Sequence, residues 1–382
     1  MVMNRRIIQH FLFVLFLCLM NYDGIRGTKL LNKPPIKTIK TEYGDIYDCV
    51  DFYDQPAFHH PLLKNHNYHP RMKPSLFVKE SDPIASTSDT FQSMGLPDGG
   101  CPSGTVPIRR YSKEDFNRHK LLPPPERDND SKTRRIKPLK GYKVAIVTTE
   151  DNPHNQFGGA SMIAAIYNPR STGQQHSGCR LKLIKGKNII QTGWRVDPTL
   201  YGDNKTRLFV HFDDGTNSCF DLLCPSFVIV NEQVTFGQAF PHISNIHGKH
   251  YDMTFQIRWD YGKGNWWLFL DDVAMGFWPK EVFEDFWNFA TRVEWGGVVY
   301  SPAGVVEPPM GSGLYPLMKS ATVNAYCRVV TLLDGKGENI DILGSKLPTF
   351  STTPTLYGVV DVPDYGAYDH NHTILYGGPG EI

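Results

Sequence analysis

Gln191-Thr192-Gly193-Trp194, with Leu200-Tyr201-Gly202-Asp203-Asn204 close behind it, is where the chain shows what kind of protein it makes. Ile189 to Gly193 has the β-branched and apolar character of a strand, and the glycine-bearing run that follows predicts a tight loop. Similar segments surround it. Tyr142–Thr149, Ala160–Tyr167, Leu181–Ile184, Leu208–Phe212, Phe227–Val230, Val234–Phe240, Tyr251–Trp259, Trp266–Leu270, Val293–Tyr300 and Ala321–Leu333 are all predicted strands. Turn signals such as Asp213-Asp214-Gly215 and Tyr261-Gly262-Lys263-Gly264-Asn265 separate them. Strands at this spacing, with no helices between them, predict an all-β antiparallel sandwich or barrel. One segment breaks the pattern. Pro279 suits a first helical turn, Glu281, Glu284 and Asp285 follow it, and Val282, Phe283, Phe286, Trp287, Phe289 and Ala290 recur at three- and four-residue intervals. This predicts one short helix packed on the sheet.

The 382 residues carry a net charge of +1, which gives no reason to expect nucleic acid or an acidic membrane surface as a partner. Arg5 and Arg6 precede a mostly apolar run, Ile7 to Met20, with the small residues Gly24 and Gly27 beyond it. Residues 1–27 are therefore predicted to be a signal peptide, and the mature protein to be secreted, with no membrane partner after cleavage. Secretion makes Cys49, Cys101, Cys179, Cys219, Cys224 and Cys327 candidates for disulfides, and Cys219 and Cys224 are close enough to close a small loop. Sequons at Asn129, Asn204 and Asn371 predict glycosylation.

Residues 28–137 differ in texture from the rest. They are rich in Pro, Lys, Asp and His, and they end in a charged stretch, Glu126 to Lys140, that reads as a linker open to proteolysis. The β-rich body is expected over 138–382. No HExxH, G-x-S-x-G or phosphate-binding loop is present in the sequence. His59, His60, His66 and His69 lack a spacing that would converge them on a metal, so they are expected to be a solvated surface, and no metal or cofactor is expected.

Two sets of motifs resemble the neprosin family of secreted plant glutamic peptidases. Gly44-Asp45-Ile46-Tyr47-Asp48-Cys49-Val50-Asp51, Gln55-Pro56-Ala57-Phe58-His59-His60 and Cys101-Pro102-Ser103-Gly104-Thr105-Val106-Pro107 are similar to the family's activation peptide. Trp194, Leu200 to Asn204, Cys219 to Cys224, Gly264-Asn265-Trp266-Trp267, Gly276 to Pro279, Trp295-Gly296-Gly297, Met310 to Gly313 and Tyr376 to Gly380 are similar to the neprosin domain. The resemblance implies a sandwich of two long curved sheets behind a smaller pro-domain that covers the active site. It also implies a Cys49–Cys101 pair, a cell-wall or apoplast location, and a groove lined by Trp194, Tyr201, Asp203, Trp266, Trp295, Gly296 and Gly297. The implied chemistry is peptide hydrolysis by two carboxylates whose pKa values split apart, one serving as base and the other as acid.

At the positions matching the two family glutamates this chain has Gln191 and Val298. Glutamine can donate a hydrogen bond but cannot shuttle a proton, and valine can do neither. Glu294 shares the strand parity of Val298 but lies four residues away, roughly 13 Å along an extended strand. The expectation is a catalytically impaired homologue that keeps a groove for a peptide or a proline-rich protein, with its own pro-domain as a further partner. An active acid-pH, proline-directed endopeptidase made as a zymogen is the alternative. A carbohydrate-binding sandwich is a third reading, because one of the adjacent Trp266 and Trp267 must face outward on a strand. Cys179 and Cys327 stand on two candidate strands where the resemblance places no cysteines. They are expected to meet as a bridge, with two buried free thiols as the alternative.

Overall fold

The structure, a computed structural model, describes residues 33–75, 89–126, 140–316, 320–366 and 370–380. The signal segment 1–27 and the sequon at Asn129 lie outside the described residues. Asn204 and Asn371 are exposed.

The N-terminal unit is a small antiparallel sheet of β1 (Lys37–Lys40), β2 (Ile46–Asp51) and β3 (Thr105–Arg109), in that order, with helices α1 (Asp89–Ser93) and α2 (Lys113–His119). Among the described residues its private core is Ile39, Tyr47, Leu96 and the Cys49–Cys101 disulfide. So small a core needs such a staple.

The body contains β4 (Tyr142–Thr148), β5 (Gly159–Ala165), β6 (His176–Lys185), β7 (Asn188–Val196), helix α3 (Pro198–Tyr201), β8 (Thr206–Asp213), β9 (Ser218–Phe220) and β10 (Val228–Ile229). It continues with β11 (Asp252–Trp259), β12 (Trp266–Leu270), β13 (Val273–Trp278), β14 (Arg292–Tyr300), β15 (Ala325–Leu333), β16 (Asn339–Ile340), β17 (Thr349–Ser351), β18 (Gly358–Val362) and β19 (Thr373–Gly377). These form two antiparallel sheets. One runs β17-β4-β14-β6-β7-β8-β9, and the other runs β10-β13-β12-β11-β5-β15-β19-β18 with β16 beside β15. The fold is an all-β sandwich. Two indoles tie its layers together: Trp194 on β7 and Trp295 on β14 are fully buried and donate to the carbonyls of Ala165 and Ser161 on β5. Cys179 on β6 and Cys327 on β15 also meet between the sheets, with their sulfurs 3.5 Å apart. They are two buried free thiols, so the expected bridge is not formed, whereas Cys219 and Cys224 are bonded.

The predicted helix at 279–290 is absent. A single 3-10 turn, Lys280–Val282, is followed by irregular chain. Its carbonyls are taken from outside: Lys185 donates to that of Asp285, the Trp266 indole to that of Phe286 and the Trp259 indole to that of Trp287. Phe283 and Phe286 sit in the core, so the apolar spacing that suggested a helix comes from aromatic anchors on an extended path. Val234–Phe240 is likewise not a strand. It makes one isolated bridge, Ala239 to Arg207, and otherwise lies under the N-terminal unit, where the Thr235 hydroxyl donates to the Pro107 carbonyl and the Gln238 amide to that of Met94.

The N-terminal unit closes over one end of the second sheet. The side-chain amide of Gln55 accepts from the Ile229 N–H at 2.8 Å and donates to the Ile229 carbonyl, standing in for a neighbouring strand on the edge strand β10. Phe52, Leu63, Tyr68 and Met72 join the main core. Asp45 bridges Arg109 of its own unit (2.8 Å) and Arg207 of the body (2.7 Å).

Candidate functional site

The outer face of the first sheet carries the site. Register fixes which side chains share that face. Gln191 on β7 pairs with Lys182 on β6 and with His211 on β8, and Lys182 in turn pairs with Glu294 on β14. Two residues along, Arg180 pairs with Gly193 and Gly296; two further, Gly178 pairs with Val298 and Arg195. Strand alternation therefore places Gln191, Arg180 and Val298 on one surface, and all three line one pocket with Tyr142, His176 and Glu126. Gln191 and Val298 are not directly opposite each other. They are offset by four residues along β6, with Arg180 between them. Gly193 and Gly296 flank Arg180 at φ of 153° and 132°, and a Cβ on either would strike neighbouring backbone, at 2.0 Å and 2.5 Å. Only glycine lets the neighbouring strands approach this closely here.

The same alternation corrects most of the expected groove. Trp194 and Trp295 lie three residues from Gln191 and Val298 and so point the opposite way, into the core. Gly297 also faces inward, against Met310 and Tyr376. Trp266 is buried, its indole bonded to Phe286. Trp267 faces the other side of its sheet but is equally buried; its cross-strand partner Phe277 takes Tyr68 of the N-terminal unit edge-on. Tyr201 and Asp203 belong to the seat of the N-terminal unit. The Tyr201 ring lies between the Arg109 and Arg207 guanidiniums at 5.4 Å from each, and its hydroxyl donates to Asp221. Asp203 receives two hydrogen bonds from Arg207. Of the expected groove residues, Gly296 alone is on the site's face.

Electrostatics dominates the surface. Gln191 Nε2 lies 3.0 Å from His211 Nδ1, and His211 Nε2 is 2.8 Å from the Ser218 hydroxyl. Glu294, almost wholly buried, is held by Arg180 at 3.0 Å, Arg292 at 3.2 Å and Lys182 at 3.7 Å. Burial alone would raise its pKa, but Lys182, Arg292 and Arg180 outweigh burial and hold the carboxyl below its usual range. Burial and the nearby Arg195 and Arg180 push His176 well below its ordinary value, so it is neutral. Val298 packs with Tyr142, Val144 and Ile146 as an apolar floor. Over this surface lies the chain's own segment Leu121 to Glu126. Gln174 donates to the Leu121 carbonyl, Tyr142 donates to that of Pro124, and Glu126 reaches Arg180 at 2.7 Å and Lys182 at 3.5 Å. About 20 Å³ of free space remains among these groups, room for roughly one water. Sequence reasoning did not identify Arg180, Lys182 or Glu126. The signal was there in Arg180 and Lys182, two cations alternating with the apolar Cys179, Leu181 and Leu183. Among the described residues, no three His, Cys, Asp or Glu side chains converge as a metal site would require.

Two family models match the chain: Neprosin over residues 173–379 and Neprosin activation peptide over 38–156. The chain belongs to the neprosin family. The activation-peptide match runs from the N-terminal unit through the Pro123–Glu126 segment and past β4, and the neprosin match takes in Gln191 and Val298. Among solved structures, the chain is similar to Scytalido-glutamic peptidase with a peptide-based transition state analog, at 8% identity and TM-score 0.33, covering 63% of this chain and 98% of that one. It is similar to SCP-B, a member of the Eqolisin family of peptidases in complex with the tripeptide Ala-Ile-His, at 8% identity and TM-score 0.32 with the same coverages. A glycoside hydrolase family 16 endo-glucanase from Bacteroides ovatus follows at 10% identity and TM-score 0.25, covering 47% of this chain and 82% of that one. Scores this low carry no residue from those proteins to this neprosin-family chain.

Proposed function

We propose that this protein is a secreted neprosin-family member that binds peptide in its groove without hydrolysing it. The observation that carries this reading is the state of the carboxylates on the groove face. Gln191 and Val298 stand at the two positions where the family resemblance implies glutamates, and Glu294, which shares their face, is locked by three cations. A carboxylate held ionised in this way cannot serve as an acid. Losing both members of a pair that acts as a unit removes nearly all of its contribution. The sugar-binding reading loses its basis, because neither Trp266 nor Trp267 is available as a platform.

The test is a peptidase assay at acid pH on chain nicked between residues 127 and 139 and then separated from its N-terminal fragment, beside a Gln191→Glu/Val298→Glu variant. No turnover is expected from the unaltered chain, together with measurable binding of a proline-rich peptide. The double substitution restores a carboxyl at both positions, one of them beside Tyr142, Val144 and Ile146. It is expected to gain cleavage. Robust hydrolysis by the unaltered chain would overturn the reading.

A further inference from the structure

Glu126 is bound as a ligand would be. It follows three prolines, it is buried, and its carboxylate meets two side chains that are each 99% buried, Arg180 and Lys182. Buried cations are costly unless paired. Among the described residues, the strand cations Arg180, Lys182 and Arg292 face the resident carboxylates Glu294 and Asp151, and Glu126 supplies the third negative charge. The contact is specific in direction too. Tyr142 takes the carbonyl of Pro124, two residues before the glutamate, and Gln174 takes that of Leu121, so the backbone is held at two points and the side chain at a third.

We infer that Arg180 and Lys182 form a carboxylate subsite, and that the groove takes peptides in which a glutamate side chain follows a run of prolines. This rests on the peptide-binding reading above and names its ligand class. The segment Pro123–Glu126 is the internal copy of that ligand, and an external peptide must displace it.

Thermal unfolding of the full chain and of Glu126→Ala and Glu126→Gln variants tests the subsite. Glu126→Ala opens the pocket and is expected to unfold roughly 5 °C lower. Acetate, and acetyl-Pro-Pro-Pro-Glu-amide, should restore that loss saturably; chloride at equal ionic strength, and the matching peptide ending in Gln, should not. Glu126→Gln keeps the shape, fills the pocket and should lose stability without rescue by acetate. Capped peptides exclude a terminal carboxylate as the source of binding; a free-acid triproline amide-capped at neither end serves as that comparison, and equal rescue by it would overturn the side-chain assignment. Wild-type stability in Glu126→Ala, or equal response to the Glu and Gln peptides, would overturn the subsite. So would rescue by acetate with no response to the Glu peptide. None of these outcomes depends on hydrolysis, so the subsite can fail while the non-hydrolytic reading stands, and the reverse.

Discussion

Asp221 shows how one side chain can set the pH response of the molecule. It is fully buried, and burial raises its pKa to about 7 against the pull of the Val210 N–H, the Tyr201 hydroxyl, Arg109 and Arg195. Between about pH 4 and 7 the native protein thus holds a proton that the unfolded chain has released. Its contribution to stability is full below about pH 4 and is lost as pH rises through 7, by up to about 4 kcal/mol. An Asp221→Asn variant has no proton to lose. Its Tm should therefore gain on the wild type steadily from pH 4 to pH 7, read from paired melts at each pH. Parallel curves would show that this carboxyl does not carry the effect. At this scale the sequence was only partly legible. Gln191 and Val298 were singled out only because the family resemblance implies glutamates at those positions. Arg180 and Lys182 were missed because charge on a strand ordinarily means exposure, and here the segment Leu121 to Glu126 covers it.

Strands were the most legible elements. Trp266–Leu270 is the same in sequence and structure, and the expected Val293–Tyr300 gains only Arg292. Gly193 was expected to end its strand, but β7 continues through it to Val196 and the turn comes at Pro198–Gly202. The groove assignment failed on parity that the sequence contained: residues three apart on a strand face opposite ways, so Gln191 and Trp194 cannot share a surface. The 279–290 segment failed for a different reason. Aromatic anchors at helical spacing fit an extended path when the partners for their backbone carbonyls come from other strands, as the indoles of Trp259 and Trp266 show. Phe286, fully buried against Trp266 and Phe283, pins that path. Phe286→Ala should cost about 3–5 kcal/mol, measured by denaturant unfolding. A loss below 1 kcal/mol would mean the segment is held by its hydrogen bonds alone.

Across the whole molecule, the N-terminal unit and the body are joined by a charged relay, Arg109–Asp45–Arg207, beside backbone pairings such as Leu96 N–H to the Gln233 carbonyl and Cys101 N–H to that of Glu232. After trypsin cuts within residues 127–139, the two fragments should co-elute in gel filtration. Asp45→Ala leaves Arg109 and Arg207 facing each other and should release the smaller fragment; co-elution of the variant's fragments would assign the attachment to the apolar contacts of Phe52, Leu63 and Tyr68. Gln55 gives such a release a second consequence. Its amide occupies the hydrogen-bonding positions of Ile229 on the sheet's last strand. Once the N-terminal unit has gone, that border presents an open donor and acceptor to any extended chain that drifts past. The unit is then a guard against self-association as well as a cover, and the freed body should sediment as a concentration-dependent dimer or larger species where the intact chain does not.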